Sequence, residues 1–427
     1  MQEGRDDREM TLDELRQLLL PENLALLEEH GSDDPADFAM RFQGREDIPA
    51  RAIAEQLACR RKAAKKIPML SLKGLLYASL ALEQASGEAA AAYKASIMSG
   101  ERVIDLSGGL GVDTIFFSKV FRCVVYCERD PVLAELAANN FRKLDLTNVE
   151  ILHGESLSML HLFPDNHFEW IFVDPARRES GRRSVGLVAA SPDVTAAHDL
   201  LLSKAPRVMI KASPALEPSG LRRDLPSLSE IRVVSVDGEC RESLLLLERG
   251  EPNDHGVLRT AVLLSKDGAV ELAISGTGTE ERAVSHQVQT YFYEPDAAVI
   301  RAGLAGKLAL DLGLSFVNGS VDYLTADVLI ADFPGRVFRV MAVERYRPKT
   351  FRKFLRRHDI TEAALQRRDF PLQSEEIRRK FRLRESDSRY LFFTRDSDGE
   401  PVCVYGVKAA AGGAALSAQA RNAAPVC

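Results

Sequence analysis

The sequence predicts a doubly wound, parallel α/β protein, and three observations carry that prediction. From Glu101 onward, short apolar strands alternate with amphipathic helical stretches, the pattern of crossover βαβ units. Four of those strands, RVID, CVVYCE, VEILHGE and FEWIFVD, run out into an acidic residue. A glycine-rich turn, SGGLG, joins the first of them to the helix that follows. At 427 residues the chain is long enough for two to four domains.

Residues 1–99 are expected to form an N-terminal helical region. TLDELRQLLL and ENLALLEEHG place apolar residues at helical spacing, and Gly31 follows as a stop. AIAEQLACRRKAAKKI reads as a third helix with a basic end, and ALEQASGEAAAAYKASIM as a fourth, running up to Gly100. Residues 100–275 form the α/β domain, with strands at RVIDLS, RCVVYCE, VEILHG, FEWIFVD and RVMIKAS. DPVLAELAANNFRKLD is one of the intervening helices. After Lys211 the rhythm shifts to IRVVSVDG and SLLLLERG, so the sheet is expected to end in a hairpin, and RTAVLLS with AVELAIS makes another around Lys266-Asp267-Gly268. Residues 288–408 read as an α+β domain: strand QTYFYEP, helix AAVIRAGLAGKLAL, further strands, helices FRKFLRRH and EEIRRKFRL, and a closing hairpin. Residues 409–427 are low in complexity and are expected to be a disordered tail.

Composition narrows the class. A chain 45% hydrophobic and 28% charged is not disordered, and 28 Gly with 19 Pro is not collagenous. The six cysteines (Cys59, Cys123, Cys127, Cys240, Cys403, Cys427) contain no CxxC pair, and no histidine stands at a metal-binding spacing, so no metal is expected. The polar start MQEGRDDREM predicts no signal peptide, and the apolar runs fall well short of the ~20 residues a membrane helix needs. A reducing, cytoplasmic location without a membrane partner is the expectation. Charge is uneven. Tyr346–Arg395 holds 15 Lys and Arg against 7 Asp and Glu, a surplus of +8, which leaves −14 on the remainder of a chain whose net charge is −6. A basic module on an acidic body suggests that one part meets a polyanion while the other does chemistry.

The chemistry should lie at VIDLSGGLGVDT. Glycine lets backbone approach a ligand closely, and the helix N-terminus offers free N–H groups. Gly109 and Gly111 nearly meet the dinucleotide pattern GxGxxG, but its third position is Thr114. Asp105 at the strand end would also repel a pyrophosphate, which argues against a dehydrogenase; it suits a cationic amino-acid ligand. Glu128 ends the second strand, where a ribose diol accepts two hydrogen bonds, and Glu155 with Ser156 ends the third, within reach of an adenine edge. FVDPARR ends the fourth. Ligands of open α/β sheets sit outside the carboxyl ends of the strands, so Asp105, Glu128, Glu155 and Asp174 are expected on one rim.

These residues resemble the class I S-adenosylmethionine-dependent methyltransferases. DLSGGLG matches their D-x-G-x-G-x-G motif, with Ser107 in place of the first glycine; Glu128 matches the ribose-binding acid and GES the adenine-side turn. More narrowly, LEQASGEAAAAYKA, DLSGGLGVDT, VDPARR, GECRE, YEPDAAVIRAGL, FPGRVF and RRDFPL followed by IRRKFRLR resemble the bacterial methyltransferases that carry a THUMP-like C-terminal domain. The resemblance spans roughly residues 45–408. It implies a Rossmann-like, doubly wound, seven-stranded methyltransferase sheet, followed over 288–408 by a ferredoxin-like and then a basic THUMP-like part. It also implies S-adenosylmethionine as cofactor, held by Asp105, Ser107, Gly109, Gly111, Glu128, Glu155, Ser156 and Lys94, with Glu83, Gln84 and Ser86 nearby.

Nucleic-acid aminomethyltransferases usually place [DN]PP[YF] where this chain has DPAR, the aromatic stacking on the target base. Asp174 and Pro175 are kept, while Arg177, closer to the DPPR of some RNA base methyltransferases, is left to stack on a base or hold a phosphate. These three are the candidate catalytic residues. Cys240 in DGECRES is a further candidate, as a thiolate adding to a pyrimidine carbon, against the commoner spectator role. Arg352, Lys353, Arg356 and Arg357 on one helix, and Arg378, Arg379 and Lys380 on a second, are the candidate RNA contacts. The expected function is methyl transfer to RNA. A non-catalytic RNA-binding protein on the same scaffold, or a methyltransferase of a small molecule or protein, stands as the alternative.

Overall fold

The architecture is seen in a computed structural model that describes residues 10–45, 47–177, 187, 190–218, 220–250 and 256–409. The chain divides into two compact units. The first takes in the chain up to Asp237 with Arg241–Val257 and Leu264–Glu271; the second takes in Gly238–Cys240, Leu258–Leu263 and the chain from Leu272.

In the first unit the strands are β1 (Arg102–Asp105), β2 (Cys123–Glu128), β3 (Val149–His153), β4 (Trp170–Val173), the short pair β5 (Ala176–Arg177) and β6 (Ala190–Ser191), then β7 (Arg207–Ala212), β8 (Leu228–Val236) and β9 (Glu239–Glu248). Seven of them follow the order β8-β9-β7-β4-β1-β2-β3 in a sheet of nine strands, two more than the seven expected. β1 runs parallel to β2 and β4, β3 to β2, and β7 to β4, whereas β9 is antiparallel to β7. β4 is buried along its whole length, as a strand covered on both faces must be. From β1 the chain winds outward through β2 and β3 to one side and through β4 and β7 to the other. The crevice outside the carboxyl ends of β1 and β4 is therefore the topological switch point.

The helices follow local rules. Pro131–Lys143 starts on Asp130, whose carboxylate accepts from the N–H groups of Val132 and Leu133, has Pro131 at its first position, and ends on Arg142 and Lys143. Its apolar face joins one core with the N-terminal helices: Leu15, Leu18, Leu27, Phe38, Ile53 and Leu57 pack in the same cluster as Tyr126, Leu136 and Phe141. Two details differ from the sequence reading. A helix at Pro35–Arg41, capped by Asp34, precedes Ala50–Lys66. The expected Ala-rich helix is broken into Ser79–Gln84 and Glu88–Ser96, because the chain turns extended at Ala85 and starts again at Gly87. That break leaves Ser86 buried.

After β10 (Leu258–Leu264) and β11 (Val270–Gly276), the second unit carries β12 (Tyr291–Pro295), β13 (Ser315–Phe316), β14 (Leu324–Ala326), β15 (Gly335–Arg345), β16 (Ala364–Arg367), β17 (Tyr390–Arg395) and β18 (Pro401–Lys408). The last seven form one sheet in the order β13-β14-β12-β15-β18-β17-β16, so the two parts expected of residues 288–408 share a sheet. Helix Pro348–Arg357 docks on it through Phe351, Phe354 and Leu355, which pack with Leu383, Phe393 and Tyr405. The expected tail beyond Ala409 lies outside the described residues.

Candidate active site

The turn after β1 is shaped by the side chains beneath it. A methyl group on Gly108 would sit 2.2 Å from the Tyr126 ring, so only glycine lets the turn lie on that ring. Tyr126 in turn donates its hydroxyl to the Gly109 carbonyl at 2.6 Å. Asp105 is almost fully buried under this turn: one carboxylate oxygen accepts from the Ser107 N–H (3.0 Å) and hydroxyl (3.2 Å), the other from the Thr114 hydroxyl (2.8 Å). Burial, with the Asp113 carboxylate nearby, pushes Asp105 up to about 7, although the Ser107 and Thr114 donors pull the other way.

That shift has a measurable consequence. The folded chain binds a proton at Asp105 over a window, from about 4 to about 7, in which the unfolded chain has released it. A carboxyl raised in this way supports the fold at low pH, and the support is lost as pH rises through 7. Asp105→Asn removes the dependence. Its stability should match the parent near pH 4 and exceed it at pH 8, by as much as roughly 4 kcal/mol. Thermal unfolding of both proteins across this range checks it, and identical pH dependences would refute it.

Ser107, which stands where the methyltransferase motif has its first glycine, links two strand ends. Its hydroxyl oxygen accepts from the Asp174 N–H at 2.6 Å while its own proton goes to Asp105. Glu128, half-buried at the end of β2, accepts from the Gly109 N–H (2.7 Å) with one oxygen and from the Asp130 N–H (2.8 Å) with the other. Gly111 precedes helix Val112–Phe117. Glu155 caps helix Ser156–His161 by accepting from the Ser158 N–H at 2.8 Å, and Ser156 is buried at the start of that helix. Asp105, Glu128, Glu155 and Asp174 thus stand at the carboxyl ends of four neighbouring strands, as the sequence predicts.

Lys94 sits differently. Its side chain is 0% exposed, and its ammonium donates to the Glu242 carboxylate (2.6 and 2.8 Å) and to the Ser86 hydroxyl (3.0 Å), with Asp113 at 3.2 Å. Ser86 donates to the other Asp113 oxygen at 2.8 Å. Lys94 therefore ties helix Glu88–Ser96 to β9 and to the helix after the glycine turn from below. Glu83 faces Lys62, away from this network, and Gln84 ends its helix. Asp174 and Pro175 are half-buried after β4, and Arg177 pairs with Ala190 through the β5–β6 ladder. Cys240 is half-buried near the start of β9.

One rim residue escapes the sequence reading. The parallel register that sets Val173 beside Ile210 brings Lys211, at the end of β7, next to Asp174, and its ammonium donates to Asp174 Oδ2 at 2.5 Å. Burial alone would depress this lysine; Asp174, with Asp113 and Glu242 farther off, overrides it and holds the ammonium above the ordinary lysine range.

A rim on which four neighbouring strands end in acids, beside a glycine turn at the switch point, is the arrangement expected of an S-adenosylmethionine-dependent methyltransferase, and the comparisons agree. The chain is 26% identical over 336 residues, 77% of its length and 88% of the relative's, to an uncharacterized S-adenosylmethionine-dependent methyltransferase of Mycobacterium tuberculosis H37Rv; the protein of strain CDC 1551 matches equally. The crystal structure of a candidate methyltransferase from Porphyromonas gingivalis W83 superposes with a TM-score of 0.80 at 25% identity, covering 96% of this chain and all of that one. Residues 335–406 match the THUMP domain-like family. The chain is a methyltransferase that carries a THUMP-like C-terminal module. No described helix is long and apolar enough to cross a membrane, and the described residues contain no metal-binding cluster.

Proposed function

We propose that this methyltransferase acts on RNA held by the THUMP-like module. One observation carries the reading. On helix Pro348–Arg357 the side chains of Lys349, Arg352, Lys353, Arg356 and Arg357 are all exposed, and none forms an ion pair with an acidic side chain among the described residues. A merely solvated helix face mixes signs; one row of unpaired cations is what a phosphate backbone binds. The second helix, Ser374–Phe381, is less one-sided: Arg378 pairs with Glu385, leaving Arg379 and Lys380 exposed.

In this reading the cofactor lies across the rim. The site fits it on two counts. A methyl group on Gly109 would meet nothing nearer than the Ser107 carbonyl at 3.8 Å, so this backbone is open to close approach. The surrounding carboxylates match a cofactor bearing a sulfonium and an ammonium. Glu128 takes the ribose diol, Gly109 and Gly111 give the close backbone, and Glu155 and Ser156 face the adenine. Asp105, Ser107 and Lys94 act from beneath, fixing the turn. Bound there, S-adenosylmethionine supplies a methyl group already made electrophilic by its sulfonium, so the chain's own task is alignment. Asp174 and Pro175 orient the acceptor, and Arg177 is assigned to the acceptor's base or phosphate.

Two measurements test this. Asp105→Ala and Glu128→Ala should each weaken cofactor binding by roughly 1–3 kcal/mol, ~5–150-fold by calorimetry; parental affinity in both variants would remove these residues from the site. Incubation of the protein and tritiated-methyl cofactor with RNA from a strain lacking the gene should label that RNA, and nucleoside mass spectrometry should identify the product. Label in protein or small molecules alone would overturn the RNA assignment.

A further inference from the structure

Lys211 is a charged side chain on the rim that these assignments leave without a task, and we infer that it is a positioning residue that aims Asp174 at the acceptor. The inference rests on the methyltransferase reading of the rim and deepens it. Asp174 is held on two sides. Its N–H is fixed on the Ser107 hydroxyl at 2.6 Å, and its Oδ2 on the Lys211 ammonium at 2.5 Å. Lys211 is 13% exposed and is set by strand register, not by a loop, while Asp174 is 35% exposed. With Oδ2 taken, Oδ1 is the oxygen left to accept a hydrogen bond, and it has no partner among the described residues.

A carboxylate so arranged recognises a donor. The acceptor it selects is therefore an atom that carries hydrogen, a nitrogen of a nucleobase or a ribose hydroxyl oxygen, and not a carbon. In the transfer the acceptor atom gives a lone pair to the methyl carbon, and the pair of the broken carbon–sulfur bond stays on sulfur. The acceptor atom, momentarily cationic beside Asp174, then loses its proton through Oδ1 to water. Lys211 touches neither the acceptor atom nor the methyl. Its ammonium fixes the carboxylate's rotation, and Asp113 and Glu242 beyond it keep that ammonium charged. Lys66 and Arg241 are the cations nearest in effect, and Lys66 is itself drawn down by burial and by Lys211.

The test uses the full chain with Lys211→Met, Lys211→Gln and Lys211→Arg. The Met and Gln variants should lose about 10²-fold in kcat for label transfer to RNA, with the acceptor KM moved much less and the cofactor Kd within about threefold of the parent. Arg, which keeps charge and reach, should recover most of the loss, an outcome that a merely packing role does not give. Parental kcat in the Met and Gln variants overturns the inference, as does a loss that Arg fails to rescue or that follows cofactor affinity or thermal stability. Methyl found on a carbon of the product nucleoside overturns it too. Should the parent label protein or small molecules and not RNA, the RNA reading fails alone, and the same three variants are scored on the labelled fraction.

Discussion

Asp174→Ala is expected to lose methyl transfer to RNA by ~10²–10⁴-fold while binding the cofactor within a few fold of the parental affinity. The separation follows from where Asp174 stands. It ends β4 on the far side of the switch point from Glu128, and its carboxylate meets Lys211, not the glycine turn. The turn reaches Asp174 only through its backbone N–H, which alanine keeps. Removal of the carboxylate does leave the buried Lys211 ammonium without its nearest partner, a cost of a few kcal/mol to the fold if nothing replaces it. Asp174→Asn is the control, because its amide oxygen still accepts from Lys211. Single-turnover transfer of tritiated methyl, measured beside calorimetry of cofactor binding, distinguishes the outcomes. An alanine variant that transfers at the parental rate would reduce Asp174 to a turn residue.

Much of this site could be read from the chain alone, for a physical reason. In a parallel sheet every strand delivers its last residue to the same rim, so the acids that end RVID, CVVYCE and FEWIFVD declare their shared location without any long-range information. Lys211 obeys the same geometry at the end of RVMIKA, yet a lysine there also reads as an ordinary exposed strand end. Only the β4–β7 register, seen in three dimensions, pairs it with Asp174. Lys94 is named by the sequence for the cofactor, but its buried ion pair is beyond reach for the opposite reason. Nothing in an Ala-rich helix announces a buried ammonium, and its partner Glu242 lies on β9, far along the chain. The broken helix around Ser86 was legible in part: Gly87 is a break signal, but the alanines on either side outweigh it in any count of propensity. Glu155 carries two roles at once, since a strand-end acid followed by SLSML is also a helix cap, and the structure has it capping.

The basic helix offers the second large effect. Replacement of Arg352, Lys353, Arg356 and Arg357 by Ser in the full chain is expected to weaken RNA binding and to flatten its dependence on log salt by roughly two to three units. Each phosphate contact releases condensed counterions and contributes a slope near −0.7 on single strands, so four lost contacts account for that change. Relative to binding extrapolated to 1 M salt, affinity at 0.1 M should fall ~10²–10³-fold. The fold has reason to survive. All four side chains are exposed, while Phe351, Phe354 and Leu355, which anchor the helix to its sheet, are untouched. Serine is a weaker helix former, and loss of the cations from the last turn removes a favourable dipole interaction, together about 2 kcal/mol at most. Cofactor binding should be unchanged, since these residues belong to the second unit and the glycine turn to the first. Fluorescence titrations against structured RNA at several salt concentrations give both numbers. Parental affinity together with a parental slope would mean that this face meets no phosphate, and the small-molecule or protein acceptor would then be the better reading of the rim.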